Sequence, residues 1–95
     1  VYVDRDADPA MAESIVMNAK CQRPGVCNAA ETLLVDRAVA GTFLPAIAAR
    51  LADKKVELRA DPSALHQLST LNYQPPPKAA TEADWSTEYN DYILN

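Results

Sequence analysis

Apolar residues recur at helical spacing in three stretches of the chain and run together or alternate in four others. Met11, Ala12, Ile15, Val16 and Ala19 mark one face of a helix over 9 to about 20. Asp8-Pro9 supplies its N-cap and a proline at the first helical position, and Pro24-Gly25 stops the pattern. Val39, Phe43, Leu44, Ile47, Ala48 and Leu51 predict a second, longer helix ending near Lys54-Lys55, where basic side chains suit the C-terminal dipole. Pro45 lies inside it and predicts a kink or a late start. Asp61-Pro62 repeats the helix-start signal before a short helix, Ala64 to Leu68.

Between these, Val1-Tyr2-Val3 reads as a short strand and Asp4 to Asp8 as an acidic turn. Thr32-Leu33-Leu34-Val35 is continuously apolar and rich in strand formers, the pattern of a buried parallel strand. Val56 to Arg59 alternates, and Tyr89 to Leu94 reads as the last strand. Asn28 to Glu31 predict a short helical turn, and 83–86 a turn. Residues 69–80 read as a linker stiffened by Pro75-Pro76-Pro77. The order β-α-loop-β-α-β-α-loop-β predicts an α/β fold, three-layered, with a mostly parallel sheet. The chain opens and closes on strand-like residues, so it is read as a piece of a longer protein.

Composition narrows the function. A chain of 95 residues with 48% hydrophobic content suits one small folded unit. The net charge of −4, the pI near 4.8 and the lack of Lys/Arg clusters argue against a nucleic-acid partner. No apolar run has membrane-spanning length, and no signal-peptide pattern opens the chain. Cys21 and Cys27, with no secretory signal, read as two free thiols in a reducing cytosol. One histidine and two cysteines give no zinc spacing, so no metal site is expected.

The chemistry centres on Arg23-Pro24-Gly25-Val26-Cys27-Asn28-Ala29-Ala30-Glu31. A Pro/Gly loop leads to a thiol, and the predicted helical turn after it would offer unpaired N–H groups. Such a helix start favours thiolate and can hold an oxyanion once the thiolate attacks a carbonyl carbon. The competing reading of Cys27 is a buried structural cysteine. Arg23 suits an anionic group beside the nucleophile or, equally, a solvated helix end. Lys20 reads as a solvated residue balancing the helix dipole, Cys21 as a helix-end thiol packed on the core, and Glu13 and Glu31 as helix-face carboxylates. His66 is the only partner for a Cys–His dyad, which a lone histidine on a short helix supports poorly. Trp85-Ser86-Thr87-Glu88-Tyr89 reads as an aromatic anchor at a sheet edge or as a ligand-contacting loop.

Asn18-Ala19-Lys20 followed by Gln22 to Val35 resembles the catalytic-cysteine segment of the gamma-glutamyl phosphate reductase family, within the aldehyde dehydrogenase superfamily. Val1-Tyr2-Val3-Asp4, Val56 to Arg59, and Ala80-Thr81-Glu82 with Asp84-Trp85 and Thr87-Glu88-Tyr89 resemble further family segments in the same order. Cys21 departs from the pattern, where a Thr or another small residue is expected, and Asp36 stands where His is common. The resemblance implies that residues 1–95 belong to the catalytic domain of a cytoplasmic enzyme of proline biosynthesis, with the cofactor-binding domain outside the chain. It implies Cys27 as nucleophile, Arg23 and Asn28 as substrate contacts, Glu88 as a cofactor contact, NADPH as hydride donor and a small acyl phosphate as substrate, with a homo-oligomer as a further expectation. A non-catalytic α/β interaction module is the alternative. A thiol redox protein would call for a C-x-x-C-like spacing that Cys21 and Cys27 lack.

Overall fold

The computed structural model describes residues 1–22, 29–71, 73, 76–89 and 91–95. Five short strands and three helices alternate: β1 (Tyr2–Val3), α1 (Pro9–Cys21), β2 (Leu34–Val35), α2 (Arg37–Asp53), β3 (Glu57–Ala60), α3 (Pro62–Ser69), β4 (Lys78–Ala79), a 3-10 helix (Glu82–Ser86) and β5 (Ile93–Leu94). Every strand pairing is parallel. β1 pairs with β2, and β3 stands between β4 and β5.

The two sheets are bridged at Asn95. Its carbonyl accepts from the Leu33 N–H at 2.9 Å and its N–H donates to the Glu31 carbonyl at 3.0 Å. That is the bond pattern of a parallel pair centred on Thr32. The strands therefore lie side by side in the order β1-β2-β5-β3-β4, with the last strand of the sequence in the middle.

Each α-helix starts at an aspartate cap, as the Asp-Pro signals predict for α1 and α3 and as Asp36 supplies, unpredicted, for α2. Asp8 accepts from the Ala10 and Met11 N–H groups, Asp36 from Ala38 and Asp61 from Ala64. Proline occupies the first turn of α1 and α3. α2 starts at Arg37, earlier than its apolar pattern suggests, and runs through Pro45 without ending. Pro45 and Gly41 both face solvent, so the carbonyl that loses its helical partner can bond water instead. α2 closes with Lys55 in the left-handed region at φ 56°. There the Val56 N–H bonds the Leu51 carbonyl and the Lys55 N–H bonds that of Ala52. This is the Schellman arrangement, and the buried side chains of Leu51 and Val56 accompany it.

One apolar core joins the helices to the sheet. Val16 of α1, Ile47 and Leu51 of α2, Val56 and Leu94 are each at most 1% exposed. α1 packs on α2 and α2 on α3, making one helical layer. β3 shows which face that layer covers: Leu58 and Ala60 point into the core, while Glu57 and Arg59 alternate onto the other face. The 3-10 helix lies on that second face, since its Asp84 meets the Arg59 guanidinium. The result is a three-layer α/β arrangement whose third layer is thin among the described residues.

Three local expectations fail. Leu34, expected in a buried strand, is 57% exposed. Ala29 to Glu31 form no helical turn. The Ala30 N–H donates to the Ala19 carbonyl and Glu31 pairs with Asn95, so strand pairing takes the backbone groups that a helix would use. The structural argument that put Cys27 at a helix N-terminus therefore loses its helix over those residues. The linker over 69–80 also contains a strand: Lys78–Ala79 pairs with Arg59 and Ala60.

Candidate functional site

Lys20 ends the buried stripe of α1 that Ala12 and Val16 begin. It is 0% exposed, contrary to its reading as a solvated helix-end cation. Its ammonium donates to the Ala30 carbonyl at 3.0 Å and pairs with Glu31 Oε1 at 3.7 Å. Burial lowers the Lys20 pKa, and Glu31 opposes that shift. Glu31 is not a helix-face carboxylate either. Its Oε2 accepts the Tyr89 N–H at 2.6 Å, 58 positions away in sequence. The base of the segment between α1 and β2 is thus closed twice, by the Ala30 N–H to the Ala19 carbonyl at 2.8 Å and by Lys20 to Ala30. It is tied across to the stretch after the 3-10 helix.

Cys27, Arg23 and Asn28 lie outside the described residues. Cys21 is a free, half-buried thiol whose pKa is raised by burial, with Lys20 and Lys54 acting in the opposite direction. That shift favours the protonated thiol, and the side chain packs against the apolar core. Glu88 is exposed. His66 is exposed on α3. Trp85, 43% exposed, lies on the 3-10 helix.

A second polar cluster fixes the stretch that carries Glu88. The buried carboxylate of Asp84 accepts from the Thr81 N–H at 2.7 Å, the Thr81 hydroxyl at 3.0 Å, Arg59 at 2.8 Å and the Tyr89 hydroxyl at 2.8 Å. The Thr81 N–H, then Arg59 and Tyr89, hold its carboxyl far below the usual carboxylate range. Arg59 also meets Glu57 at 2.7 Å and stacks over the Tyr89 ring, 5.0 Å from its centroid. The Tyr89 hydroxyl and the Asp84 carbonyl are both tied to the Asn95 side chain, at 2.7 Å each. Sequence reading missed Asp84, Arg59 and Asn95 as partners. Thr81 three residues before Asp84 was the one available signal, a helix-start spacing.

A groove of about 720 Å³ lies elsewhere among the described residues. It opens at the C-terminal ends of the strands, between Val35 and Asp36 on one side and Ala60 and Asp61 on the other, over a floor that includes Leu44 and Ile47. The cysteine segment precedes β2 and Tyr89 precedes β5, so both polar anchors meet the sheet at its opposite end. Among the described residues no cluster of His, Cys, Asp or Glu has the makings of a metal site. No helix among them is long and apolar enough to cross a membrane.

No family model matches the chain. Among curated proteins it is 59% identical over 95 residues to the gamma-glutamyl phosphate reductase of Opitutus terrae, covering 99% of this chain and 22% of that protein. It is 50% identical over 94 residues to the enzyme of that name from Limosilactobacillus reuteri, covering 99% and 21%. The crystal structure of gamma-glutamyl phosphate reductase from Thermotoga maritima superposes with a TM-score of 0.85 at 43% identity, over 98% of this chain and 21% of that one. The chain is homologous to a segment of gamma-glutamyl phosphate reductase. It spans about a fifth of the length of those relatives. With that match, the parallel α/β arrangement is the fold of the corresponding part of a gamma-glutamyl phosphate reductase. The Lys20–Glu31–Tyr89 and Asp84–Arg59–Tyr89 clusters flank the two stretches that first suggested the family, the cysteine segment and Thr87-Glu88-Tyr89.

Proposed function

We propose that the protein carrying this chain reduces L-glutamate 5-phosphate to L-glutamate 5-semialdehyde, a step of proline biosynthesis, with Cys27 as nucleophile. The observation that supports this best is identity of 50% and 59%, over essentially the whole chain, to proteins named gamma-glutamyl phosphate reductase. The Cys27 thiolate attacks the acyl carbon, the C–O bond to phosphate breaks, inorganic phosphate leaves and a thioester remains. Arg23, beside the nucleophile in sequence, suits the departing phosphate, and Asn28 suits the substrate's polar groups. A reducing cytosol keeps the thiol available.

When bound, NADPH would supply a hydride to the thioester carbon, with the C–S bond breaking and the Cys27 thiolate as leaving group. The residues here do not by themselves fit a dinucleotide. The chain has only two glycines, Gly25 and Gly41, and no glycine-rich phosphate loop. Glu88, exposed and next to the anchored Tyr89, is its one candidate contact, toward the nicotinamide ribose. The pyrophosphate calls for N–H donors from elsewhere in the protein.

Cys27→Ser in the full-length enzyme is expected to abolish reduction, because serine without a dedicated base is a far weaker nucleophile. Cys21→Ser is expected to retain most activity. Incubation with the acyl phosphate in the absence of NADPH should add one glutamyl group to Cys27, read by peptide mass. A fully active Cys27→Ser enzyme would rule out the thioester route.

A further inference from the structure

A fully buried ammonium is an expensive way to end a helix. Among the described residues Lys20 has one hydrogen bond, to a carbonyl, and one carboxylate at 3.7 Å. Desolvating a charge costs several kcal/mol unless its partners are well placed. An apolar side chain of the same length would fill the space without that penalty. What the ammonium adds is direction. It joins α1, which ends at Cys21, to Ala30, and its partner Glu31 carries the link to the Tyr89 N–H at 2.6 Å. Tyr89 in turn holds Asp84 and Asn95 through its hydroxyl. Arg50 and Glu13 form their own pair, and Arg59 is engaged with Glu57 and Asp84, so neither competes for Glu31.

We propose that Lys20 and Glu31 are positioning residues that fasten both flanks of the Cys27 segment to each other and to the stretch following Glu88, so that the nucleophile and the cofactor contact share one anchor. This rests on the reading of Cys27 as nucleophile given above. The Lys20 side chain has no exposed surface and that of Glu31 is 21% exposed, so both act through the segments that they join. Their contribution is to hold the reacting groups at the right separation, where misplacement by about 1 Å can cost on the order of a hundredfold in rate.

The test uses full-length enzyme with Lys20→Met, Glu31→Ala and Glu31→Gln. Amide exchange is followed at Ala30 and Tyr89, and kcat and KM are measured for both substrates. Lys20→Met is expected to speed exchange at Tyr89, which Lys20 does not touch, as well as at Ala30. It should lower kcat about tenfold while KM for the acyl phosphate stays within about twofold. Glu31→Gln, which keeps an acceptor for the Tyr89 N–H, should recover part of what Glu31→Ala loses. Should Lys20→Met or Glu31→Ala fail to fold, Glu31→Gln decides, because that side chain is 21% exposed, the swap keeps its shape, and an amide oxygen still faces the Lys20 ammonium. Unchanged exchange at Tyr89 in the folded variants overturns the proposal. So does faster exchange with wild-type kcat, since the pair would then be structural only. Absence of reductase activity in the unmutated enzyme would instead overturn the functional reading on which it rests.

Discussion

The helical face and the opposite face of the sheet are held by different kinds of force. On the helical face, Val16, Ile47, Leu51, Val56 and Leu94 exclude water almost completely, and stability there grows with apolar area. No single contact decides it. On the other face, Arg59, Asp84, Tyr89, Thr81 and Asn95 make a short chain of directed bonds, the longest in sequence joining Arg59 to Asp84, 25 positions away. Little area is buried, and removing one partner leaves the others unsatisfied. One face resists unfolding in proportion to its size; the other fixes which segment lies where.

The largest test of that contrast is Ile47→Ala. Ile47 is 1% exposed in the centre of α2, so truncation should destabilise by about 2–5 kcal/mol in urea denaturation. A loss near 1 kcal/mol would show a core loose enough to collapse around the gap. Asp84→Asn should cost less at neutral pH and should differ in its pH dependence. The folded-state pKa of Asp84 lies well below its unfolded value. Its contribution is therefore complete above the unfolded carboxylate range, near pH 4, and fades as pH falls through the folded value. Parent and Asp84→Asn should converge in stability as the solution is acidified, whereas parent and Ile47→Ala should keep their separation. A gap between parent and Asp84→Asn that stays constant down to low pH would mean that the cluster acts by packing rather than charge. The smallest effect expected is a gain. Lys55 holds a left-handed conformation at φ 56°. Lys55→Gly removes that strain at some cost in chain entropy, for a net stabilisation of about 0.5 kcal/mol. A loss on Lys55→Gly would show that the lysine side chain contributes contacts beyond its backbone.

The same contrast explains what could be read from the chain beforehand. The helices were legible because aspartate caps, Asp-Pro starts and apolar spacing are local signals, and α1 and α3 begin where Asp8 and Asp61 indicate. β4 was not, because Lys78–Ala79 is a strand only by virtue of its place beside Arg59 and Ala60. Lys20 was misread for a related reason. A lysine at a helix end is ordinarily solvated, and its partner here, Glu31, is placed by the distant Tyr89 and Asn95. The cysteine segment was recognised through its residue pattern; the helix invoked to explain its chemistry is absent over Ala29 to Glu31.

The strand order also sets a timetable. β5 stands between β2 and β3, yet it follows every other described element in the sequence. The Asn95 bonds to Glu31 and Leu33 close loops of more than 60 residues. During synthesis the β1-α1-β2 unit and the β3-α3-β4 unit can each gather early. α2 packs on both α1 and α3, but the sheet stays in two pieces until Ile93 to Asn95 have left the ribosome and slid between them. Contacts so distant in sequence form slowly. Until they do, the edges of β2 and β3 stand open to pairing with any neighbouring chain.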